Sequence, residues 1–309
     1  MSGRVPELKL SAFTGGDPAA RQAFGTALFG ALRGFGFVVL KDHGVAPELL
    51  ERAYVQAQSL FALPEPVKRR YVGGMRGYTP FGVEHAKDNP NPDLKEFWQI
   101  GREPPEGVAL EEPLPANIWP AAAPDFRETF QALFHALDET GRQLLQALAP
   151  SLDLPTDWFD DKVRHGAALL RVLHYPPVGA DAPVGSVRSA AHEDINFLTI
   201  MVAARGAGLQ VLTGEGDWLP VETDPGGLIV NSGDMLARLT NGVIPSTTHR
   251  VVNPPDAGGS RYSMPFFLQP TLATSLACLP SCEAAGPPPP PITAAEFLAE
   301  RLREIGLAG

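Results

Sequence analysis

The sequence predicts an α+β fold, in which a helical N-terminal part packs against a double-stranded β-helix, or jelly-roll, core. Three observations support this prediction. Apolar residues recur at helical spacing mainly in the first half of the 309 residues. Short β-rich segments separated by turn residues fill most of the second half, which is typical of a sandwich, barrel or jelly roll. The 31 Gly and 32 Pro residues, with only 19% charged residues, favour ordered turns over an all-helical bundle.

The first half contains predicted helices around one buried strand. The helical spacing runs from Asp17 to Phe35, from Pro47 to Leu63 and from Pro124 to Ala149. The apolar run from Phe37 to Leu40 predicts the buried strand. Frequent Gly, Pro, Asn and Asp residues predict an irregular, loop-rich cover at about 72–119. Within it, the loop at 73–101 is expected to contribute to a pocket wall through Arg76, Tyr78, Phe81, Glu84, Lys87 and Trp98.

The core is predicted to span residues 151–286, after a helical N-terminal region at 1–150 and before a Pro-rich spacer and closing helix at 287–309. We expect these parts to form one cooperative unit rather than independent domains. The β-rich segments of the second half are Ala167 to Tyr175, Asn196 to Ala203, Gly208 to Leu212, Trp218 to Val221, Leu228 to Val230, His249 to Val252 and Tyr262 to Leu268.

Charge and composition limit the partners of the chain. A formal net charge of −10 gives no general attraction to phosphate backbones or anionic lipids, so we expect no nucleic acid and no membrane partner. The first ten residues lack a signal-peptide core and no apolar run approaches a membrane span, so a cytoplasmic protein is expected. Cys278 and Cys282, the only cysteines, are interpreted as ordinary thiols. The sequence leaves the oligomeric state open.

The segment from Ala191 to Ile200 carries the clearest chemical pattern. Side chains alternate faces along a strand, so His192 and Asp194 are expected to project together while Glu193 points away. His249 lies on a later predicted strand, which closure of a jelly roll can bring beside the first. Two imidazoles and one carboxylate on one face of a metal leave open positions, which suits non-haem iron(II). Zinc accepts the same ligands, and a His-x-Asp pair also arises by chance, so both alternatives stay open.

Arg261 and Ser263 form a second pattern, because the period of two places them on the same strand face. A guanidinium fork beside a hydroxyl fits a carboxylate through charge-assisted hydrogen bonds. The alternative is a surface or structural arginine. An arginine in an otherwise apolar strand needs a partner, however, and this strand contains no acidic residue. The pair therefore predicts an anchor for the far carboxylate of a dicarboxylic acid.

Taken together, these motifs resemble those of the isopenicillin N synthase-like family of iron(II) and 2-oxoglutarate-dependent oxygenases, over nearly the whole chain. The segment from Gly36 to Val45 resembles the strand and turn that open the family's fold. The core shares further motifs with the family: His192-x-Asp194, His249, Arg261-x-Ser263, Asn231-x-Gly233-Asp234, Thr240-Asn241-Gly242 and Leu173-His174-Tyr175-Pro176-Pro177.

The resemblance implies a dioxygenase that uses iron(II), 2-oxoglutarate and O2 to oxidise a small organic substrate, most commonly by hydroxylation, with release of succinate and CO2. The site residues it implies are the iron ligands His192, Asp194 and His249 and the cosubstrate residues Arg261, Ser263 and Tyr175. By this resemblance Arg261 and Ser263 hold the distal carboxylate of 2-oxoglutarate. Tyr175 matches a tyrosine that helps to hold a carboxylate of the cosubstrate or the substrate.

Four further residues are candidates for contact with the substrate: Arg171, Asn196, Asn231 and Phe267. Arg171 shares a strand face with Tyr175 and could present a second cation to the pocket, or equally pair with a buried acid. The resemblance matches Phe267 to an aromatic residue that packs on substrates, and packing into the core is an equal alternative. The two asparagines could instead serve turns or strand ends.

Three alternative functions stay open on the sequence alone. An oxidase of the same fold would use no 2-oxoglutarate and would hold the substrate's own carboxylate with Arg261 and Ser263; succinate formation separates the two. A non-catalytic small-molecule binding protein would be expected to lack a metal ligand, whereas all three are present. A zinc hydrolase would need a general base, and the adjacent Glu193 is expected to point away.

Overall fold

The computed structural model describes residues 4–84, 91–104, 114–179, 182, 185–254 and 259–304. Within these ranges the strands form two sheets. The strands are β1 (Glu7–Lys9), β2 (Phe37–Lys41), β3 (Val72–Gly73), β4 (Arg76–Thr79), β5 (Glu96–Gly101), β6 (Leu169–Tyr175), β7 (Ser189–His192), β8 (Leu198–Arg205), β9 (Leu209–Leu212), β10 (Trp218–Pro220), β11 (Leu228–Ser232), β12 (His249–Val251) and β13 (Arg261–Leu268).

The two sheets face each other as a jelly roll. The larger sheet has the order β1-β2-β11-β8-β13-β6-β5-β4-β3, and the smaller sheet has the order β10-β9-β12-β7. Neighbouring strands are antiparallel, apart from the parallel pair β1 and β2. Apolar side chains of both sheets meet between them, namely Phe37, Val39, Met201 and Ile229 of the larger sheet and Leu209, Val211 and Val251 of the smaller one. The predicted α+β jelly roll is therefore confirmed.

Helices cover the outer face of the larger sheet. They are α1 (Ser11–Thr14), α2 (Pro18–Phe35), α3 (Pro47–Phe61), α4 (Glu65–Lys68), α5 (Pro124–Leu148), α6 (Asp160–Val163), α7 (Asp234–Leu239) and α8 (Ala294–Glu304). Phe134 of α5 packs edge-on against Phe266 of β13, with ring centroids 5.0 Å apart. Because side chains alternate along β13, Arg261, Ser263 and Phe267 face the opposite side, toward the space between the sheets.

The segment at 72–119 is more regular than its sequence predicted. It contributes β3, β4 and β5 to the larger sheet, and β5 pairs with β6 along its whole length. Tyr78 and Trp98, expected in a pocket wall, are instead buried in the helix-facing core, where Trp98 packs against Phe126. The Gly and Pro residues predict the turns around these strands, and their frequency prevented the strands themselves from being predicted. Lys87, also expected in that wall, lies outside the described residues.

The N-terminal helices and the core share one sheet. Gly36 ends α2 in the left-handed conformation (φ 66°), and β2 then inserts beside β11. A Cβ on Gly36 would lie 2.0 Å from Thr247 Oγ1, so the close approach of these two chain segments requires glycine. The segment that leads to His249 is thereby fixed against the N-terminal strand.

The C-terminal tail returns to the core through α8, whose Phe297 is buried. Both cysteines are free thiols, and Cys282 is buried. Among the helices of the described ranges, none combines the length and the apolar composition needed to cross a lipid bilayer.

Candidate metal centre

Three side chains with metal-ligating atoms converge at the edge of the smaller sheet. His192 ends β7 and His249 begins β12, and the two residues are paired directly across these strands. Their Nε2 atoms lie 3.8 and 3.7 Å from Oδ1 and Oδ2 of Asp194, respectively. Ligand atoms of all three residues lie within 4.8 Å of one another. The group can hold one metal ion with bonds of about 2 Å.

The two imidazole rings are fixed in the tautomer that a metal ligand needs. His192 Nδ1 lies 2.8 Å from the carbonyl of Ala190, and His249 Nδ1 lies 3.1 Å from the carbonyl of Thr247. A carbonyl oxygen only accepts, so each Nδ1 carries the proton and donates it. Each Nε2 therefore presents its lone pair to the centre. Phe37 of β2 packs edge-on against His249, with centroids 5.5 Å apart, and limits its rotation.

Asp194 lies two residues beyond the end of β7, in the turn before β8, and not within a strand as the alternation argument assumed. Its Oδ2 atom accepts hydrogen bonds from Thr199 Oγ1 (2.6 Å) and from Asn231 Nδ2 (2.9 Å). Because both donors act on Oδ2, the other oxygen Oδ1 is left for a metal. Glu193 is exposed and accepts from Thr248 Oγ1, so it points away from the centre as expected.

The junction between β11 and α7 holds the backbone of this turn. Three N–H groups at the start of α7 donate to carbonyls of the turn at 2.8–3.1 Å: Gly233 to Phe197, Asp234 to Asp194 and Met235 to Asn196. The first N–H groups of a helix have no partner within the helix, and the ligand turn accepts from them here. A Cβ on Gly233 would lie 2.6 Å from the carbonyl oxygen of Asp194. The Asn231-x-Gly233-Asp234 motif thus positions the carboxylate.

Burial and neighbouring charges set the protonation of His192 and Asp194. Burial, and then the adjacent His249 ring, lower the pKa of His192 to about 4, so the ring is neutral at pH 7. Burial alone would raise the pKa of Asp194. The two nearby imidazoles and the hydrogen bonds to its Oδ2 outweigh burial and lower that pKa. The centre therefore offers a neutral His192 imidazole and an ionised Asp194 carboxylate.

Across the space between the sheets, Arg261 is buried, and no acidic side chain of the described residues pairs with it. The residue is 1% exposed, and its guanidinium lies over the Tyr175 ring, 4.9 Å from the centroid. Its Nε donates to the carbonyl of Gly206 (3.2 Å), while Nη1 has no hydrogen-bond partner within the described ranges. Ser263 Oγ donates to Met201 Sδ, which is a weak acceptor. An unpartnered buried guanidinium is costly, so the pair fits an anionic ligand whose carboxylate takes the free N–H groups.

Comparison with known proteins identifies this arrangement. Residues 5–122 match the family model described as non-haem dioxygenase in morphine synthesis N-terminal, and residues 166–270 match that of the 2OG-Fe(II) oxygenase superfamily. The 2-oxoglutarate-Fe(II) type oxidoreductase hxnY of Emericella nidulans is 33% identical to this chain over 95% of it and 88% of that protein. The chain belongs to the 2OG-Fe(II) oxygenase superfamily.

Crystal structures of related proteins share the whole fold. A putative 2OG-Fe(II) oxygenase family protein from Caulobacter crescentus is 41% identical, with a TM-score of 0.87 over 97% of this chain and 99% of that one. A full-length Neurospora crassa protein, solved in complex with alpha-KG and thymine, is 29% identical, with a TM-score of 0.86 over 98% of this chain and 97% of that one. The predicted family is confirmed, and the chain is an Fe(II)- and 2-oxoglutarate-dependent dioxygenase.

The structure separates the four substrate candidates of this oxygenase into two pairs. Arg171 and Phe267 lie side by side, with the Arg171 guanidinium 5.7 Å from the Phe267 centroid, and both are partly accessible. Asn196 and Asn231 are at most 1% exposed and are hydrogen-bonded around the Asp194 carboxylate. The expectation that the two asparagines touch substrate is therefore not supported, because their amides face the back of the metal ligand.

Some residues around the oxygenase site were not found from the sequence. They include Thr199, which supports Asp194, and Lys95, which pairs with Glu84 (2.7 Å). Glu84 itself was expected in the pocket wall, but its pairing with Arg171 (3.1 Å) was not predicted. Arg188 is a second buried arginine between the sheets. The spacing from Arg188 to His192 gives no reliable signal, because the pairing of β7 with β12 shifts register between these residues. The pairing of Glu84 with Arg171 joins residues 87 positions apart and likewise has no local signal in the sequence.

Proposed function

We propose that this oxygenase hydroxylates a C–H bond of a small, polar, planar organic substrate, with release of succinate and CO2. In this proposal His192, Asp194 and His249 bind iron(II). The proposal rests on the position of this ligand triad opposite the buried Arg261 guanidinium, in the space between the two sheets. Within the described residues, Nη1 of that guanidinium has no hydrogen-bond partner. Bound iron(II) supplies the redox chemistry that couples decarboxylation of 2-oxoglutarate to C–H oxidation.

The protein's own contribution is to orient the ligands and to keep the cosubstrate in place. Arg261 and Ser263 bind the distal carboxylate of 2-oxoglutarate through the fork and the hydroxyl. Tyr175, which is 2% exposed, packs its ring against the guanidinium at 4.9 Å and restricts the movement of the fork. Because these groups are buried, water is excluded and their electrostatic attraction to the carboxylate is strong.

The proposed substrate wall is formed by β5, β6 and β13. The Arg171 guanidinium lies 4.6 Å from the Phe97 centroid and donates to Gln99 Oε1 (3.3 Å) and Glu84. Glu84 is itself paired with the buried Lys95. Burial would raise the pKa of Glu84, and the two cations outweigh it and lower that pKa, so the carboxylate stays ionised. A guanidinium and a carboxylate side by side offer donors and acceptors to one flat, polar molecule.

A nitrogen heterocycle is the substrate class that we propose. The partly exposed Phe267 ring beside Arg171 offers a flat apolar surface next to the polar pair, which suits stacking of a planar ring. The relative from Neurospora crassa was crystallised with thymine and with 5-formyluracil, at 29% and 28% identity to this chain, and this likeness supports the same class. We also propose a cytoplasmic site of action, because two free thiols fit a reducing compartment.

Succinate formation tests the reaction. The iron-loaded protein, supplied with 2-oxoglutarate and O2, is screened against pyrimidines, purines and pyridines, with succinate and hydroxylated product measured together. We expect one of these rings to raise succinate release and to give product in a 1:1 ratio. Oxidised product without consumption of 2-oxoglutarate would favour the oxidase alternative, and no turnover with any ring would contradict the proposed substrate class.

Arg171→Met tests the substrate wall. The variant loses the paired guanidinium, so we expect the KM of the heterocycle to rise about 30-fold and the affinity for 2-oxoglutarate to change less than about 2-fold. Arg142→Met, which removes an arginine of α5 paired with Glu139, is the matched control and should keep both values. An unchanged KM in Arg171→Met would remove Arg171 from the substrate site.

A further inference from the structure

Arg188 is a second buried cation with no acidic partner within the described part of the chain. It precedes β7 directly and is 3% exposed. Its Nη2 donates to the carbonyl of Gly259 (2.7 Å), and its Nε has no hydrogen-bond partner. Burial of a charged group without an anion is unfavourable, and a neutral carbonyl compensates only part of that cost.

Arg188 reaches the larger sheet through its hydrogen bond to the carbonyl of Gly259, which lies two residues before Arg261 at the start of β13. Along β7 the pairing with β12 shifts register, with Ser189 opposite Val251 and His192 opposite His249, so the alternation of faces is interrupted between Arg188 and the metal centre. Four residues of extended chain span about 13 Å, so the Arg188 backbone lies well away from the metal end. At that distance it is suited to the far end of a ligand that begins at the metal.

Arg188 and Arg261 approach the same place from opposite sheets. Burial, and then the charge of Arg261, lower the pKa of Arg188, while Tyr175 acts in the opposite direction. Arg261 is paired with Tyr175 across β13 and β6 of the larger sheet, whereas Arg188 leads into the smaller sheet. Two guanidinium groups with free N–H atoms repel each other unless an anion lies between them.

We propose that Arg188 is a second cosubstrate-binding residue, and that Arg188 and Arg261 together clamp the distal carboxylate of 2-oxoglutarate from the two sheets. This inference rests on the proposed binding of that carboxylate by Arg261. A carboxylate has two oxygens with about four lone-pair sites, so it can accept from both guanidinium groups at once. The clamp predicts that the site discriminates strongly against a keto acid whose far end is uncharged.

A pair of matched ligands tests the clamp. 2-Oxovalerate has the chain length of 2-oxoglutarate, with a methyl group in place of the distal carboxylate. Both are titrated anaerobically into the Mn(II)-loaded protein, so the readout is binding and not turnover. In Arg188→Met we expect the Kd of 2-oxoglutarate to rise about 30-fold and that of 2-oxovalerate to change less than about 3-fold. Arg188→Lys, which keeps the charge and loses the fork, should raise the Kd of 2-oxoglutarate about 10-fold.

The control variants separate this inference from the proposed function. Arg142→Met should bind both ligands like the wild type, and Arg261→Met should lose the discrimination. If the wild type itself does not discriminate between the two keto acids, the proposed role of Arg261 fails. The role of Arg188 alone is overturned by either of two results, provided that the wild type and Arg261→Met behave as expected. In the first, Arg188→Met and Arg188→Lys keep the affinity for 2-oxoglutarate. In the second, they lose affinity for both ligands equally.

Discussion

At the scale of single residues, the metal centre depends on side chains that do not touch the metal. Asp194 would be free to offer either oxygen, or both, if Thr199 and Asn231 did not occupy Oδ2. The backbone carbonyls behind His192 and His249 accept hydrogen bonds from the Nδ1–H groups, and this fixes Nε2 as the nitrogen that faces the metal. Fixing each ligand atom before the metal binds reduces the ordering cost of binding.

Asn231→Ala tests this support. We expect the affinity for Fe(II) or Mn(II) to fall about 10- to 100-fold, because the Asp194 carboxylate loses one of its two donors, while the metal-loaded protein binds 2-oxoglutarate normally. Metal affinity is measured by anaerobic competition with a chelator. Asn117→Ala, which removes an amide hydrogen-bonded to Gly101 far from the triad, is the control. Equal metal affinity in the two variants would show that Asn231 does not position the ligand.

The three residues that converge at the metal centre were easier to predict from the sequence than the residues that support them. His192, Asp194 and His249 form a short pattern of chemically specific types, and the structure brings them together. Asn196 and Asn231 were interpreted as substrate candidates. The sequence around an asparagine in a strand does not distinguish one that supports a metal ligand from one that contacts the substrate. Arg188 was missed for a related reason, since a buried arginine is recognised only when the groups across from it are known.

At the scale of secondary structure, the turn between β7 and β8 is held by the start of α7. The N–H groups of Gly233, Asp234 and Met235 reach carbonyls of that turn, and this requires the helix to approach without a side chain in between. The ligand turn and the helix N-terminus therefore form one unit. Changes at this junction should act on metal binding before they act on the fold as a whole.

Gly233→Ala tests the junction. The added Cβ would lie 2.2 Å from Asn196 Oδ1 and 2.6 Å from the Asp194 carbonyl, so the turn must move. We expect unfolding to require about 1–3 kcal/mol less free energy, and metal affinity to fall by more than this loss alone would cause. Gly30→Ala is the control, because a Cβ there meets nothing within 4 Å on α2 and should leave stability unchanged or slightly higher. Wild-type metal binding in Gly233→Ala would contradict the close approach.

Element boundaries in the second half were predicted well, and those at 72–119 were not. The strands β6 and β8 to β13 are mostly apolar runs bounded by turn residues, so their period and length are visible locally. The exception is β7 (Ser189–His192), which has no large apolar residue and was not among the predicted segments. β4 and β5 contain Arg76, Tyr78, Glu96 and Gln99, and these polar residues are buried by partners from elsewhere in the chain. Their strand character comes from pairing in the larger sheet and not from local composition.

At the scale of the whole molecule, a buried polar network ties the N-terminal helices to the core. Glu96 of β5 bonds Lys68 of α4 (2.6 Å), His174 of β6 (2.7 Å) and the hydroxyl of Tyr78. Burial would raise the pKa of Glu96, and the hydrogen bonds from His174, Lys68 and Tyr78 outweigh it and lower that pKa. These contacts place His174 in the network between the helices and the sheet.

Glu96→Gln tests the network through its pH dependence. Removal of the carboxylate leaves the buried Lys68 with the half-exposed Glu65 alone, so we expect a loss of about 3 kcal/mol in unfolding free energy at pH 7. Because the folded pKa of Glu96 is depressed, its contribution is complete above the unfolded value of about 4.3 and disappears as pH falls through the folded value. The variant should therefore lose less stability than the wild type between pH 5 and pH 3, as measured by urea unfolding.

Glu139→Gln, which removes an exposed partner of Arg142 on α5, is the control for that measurement. This variant should lower the free energy of unfolding by less than about 1 kcal/mol at any pH. Parallel stability curves for Glu96→Gln and the wild type across the acid range would show that Glu96 does not link the helices to the sheet as an ionised group.

For the whole molecule, we expect three side chains from two distant stretches of the chain to hold one iron beside a site for 2-oxoglutarate. Anaerobic titration with Fe(II), followed by 2-oxoglutarate, tests it most directly. We expect one equivalent of iron and a visible charge-transfer absorption band in the wild type and in His135→Ala, an exposed histidine of α5. His192→Ala, Asp194→Ala and His249→Ala should each lose the band while remaining folded. A band of wild-type intensity in any of these three variants would show that the substituted residue is not an iron ligand.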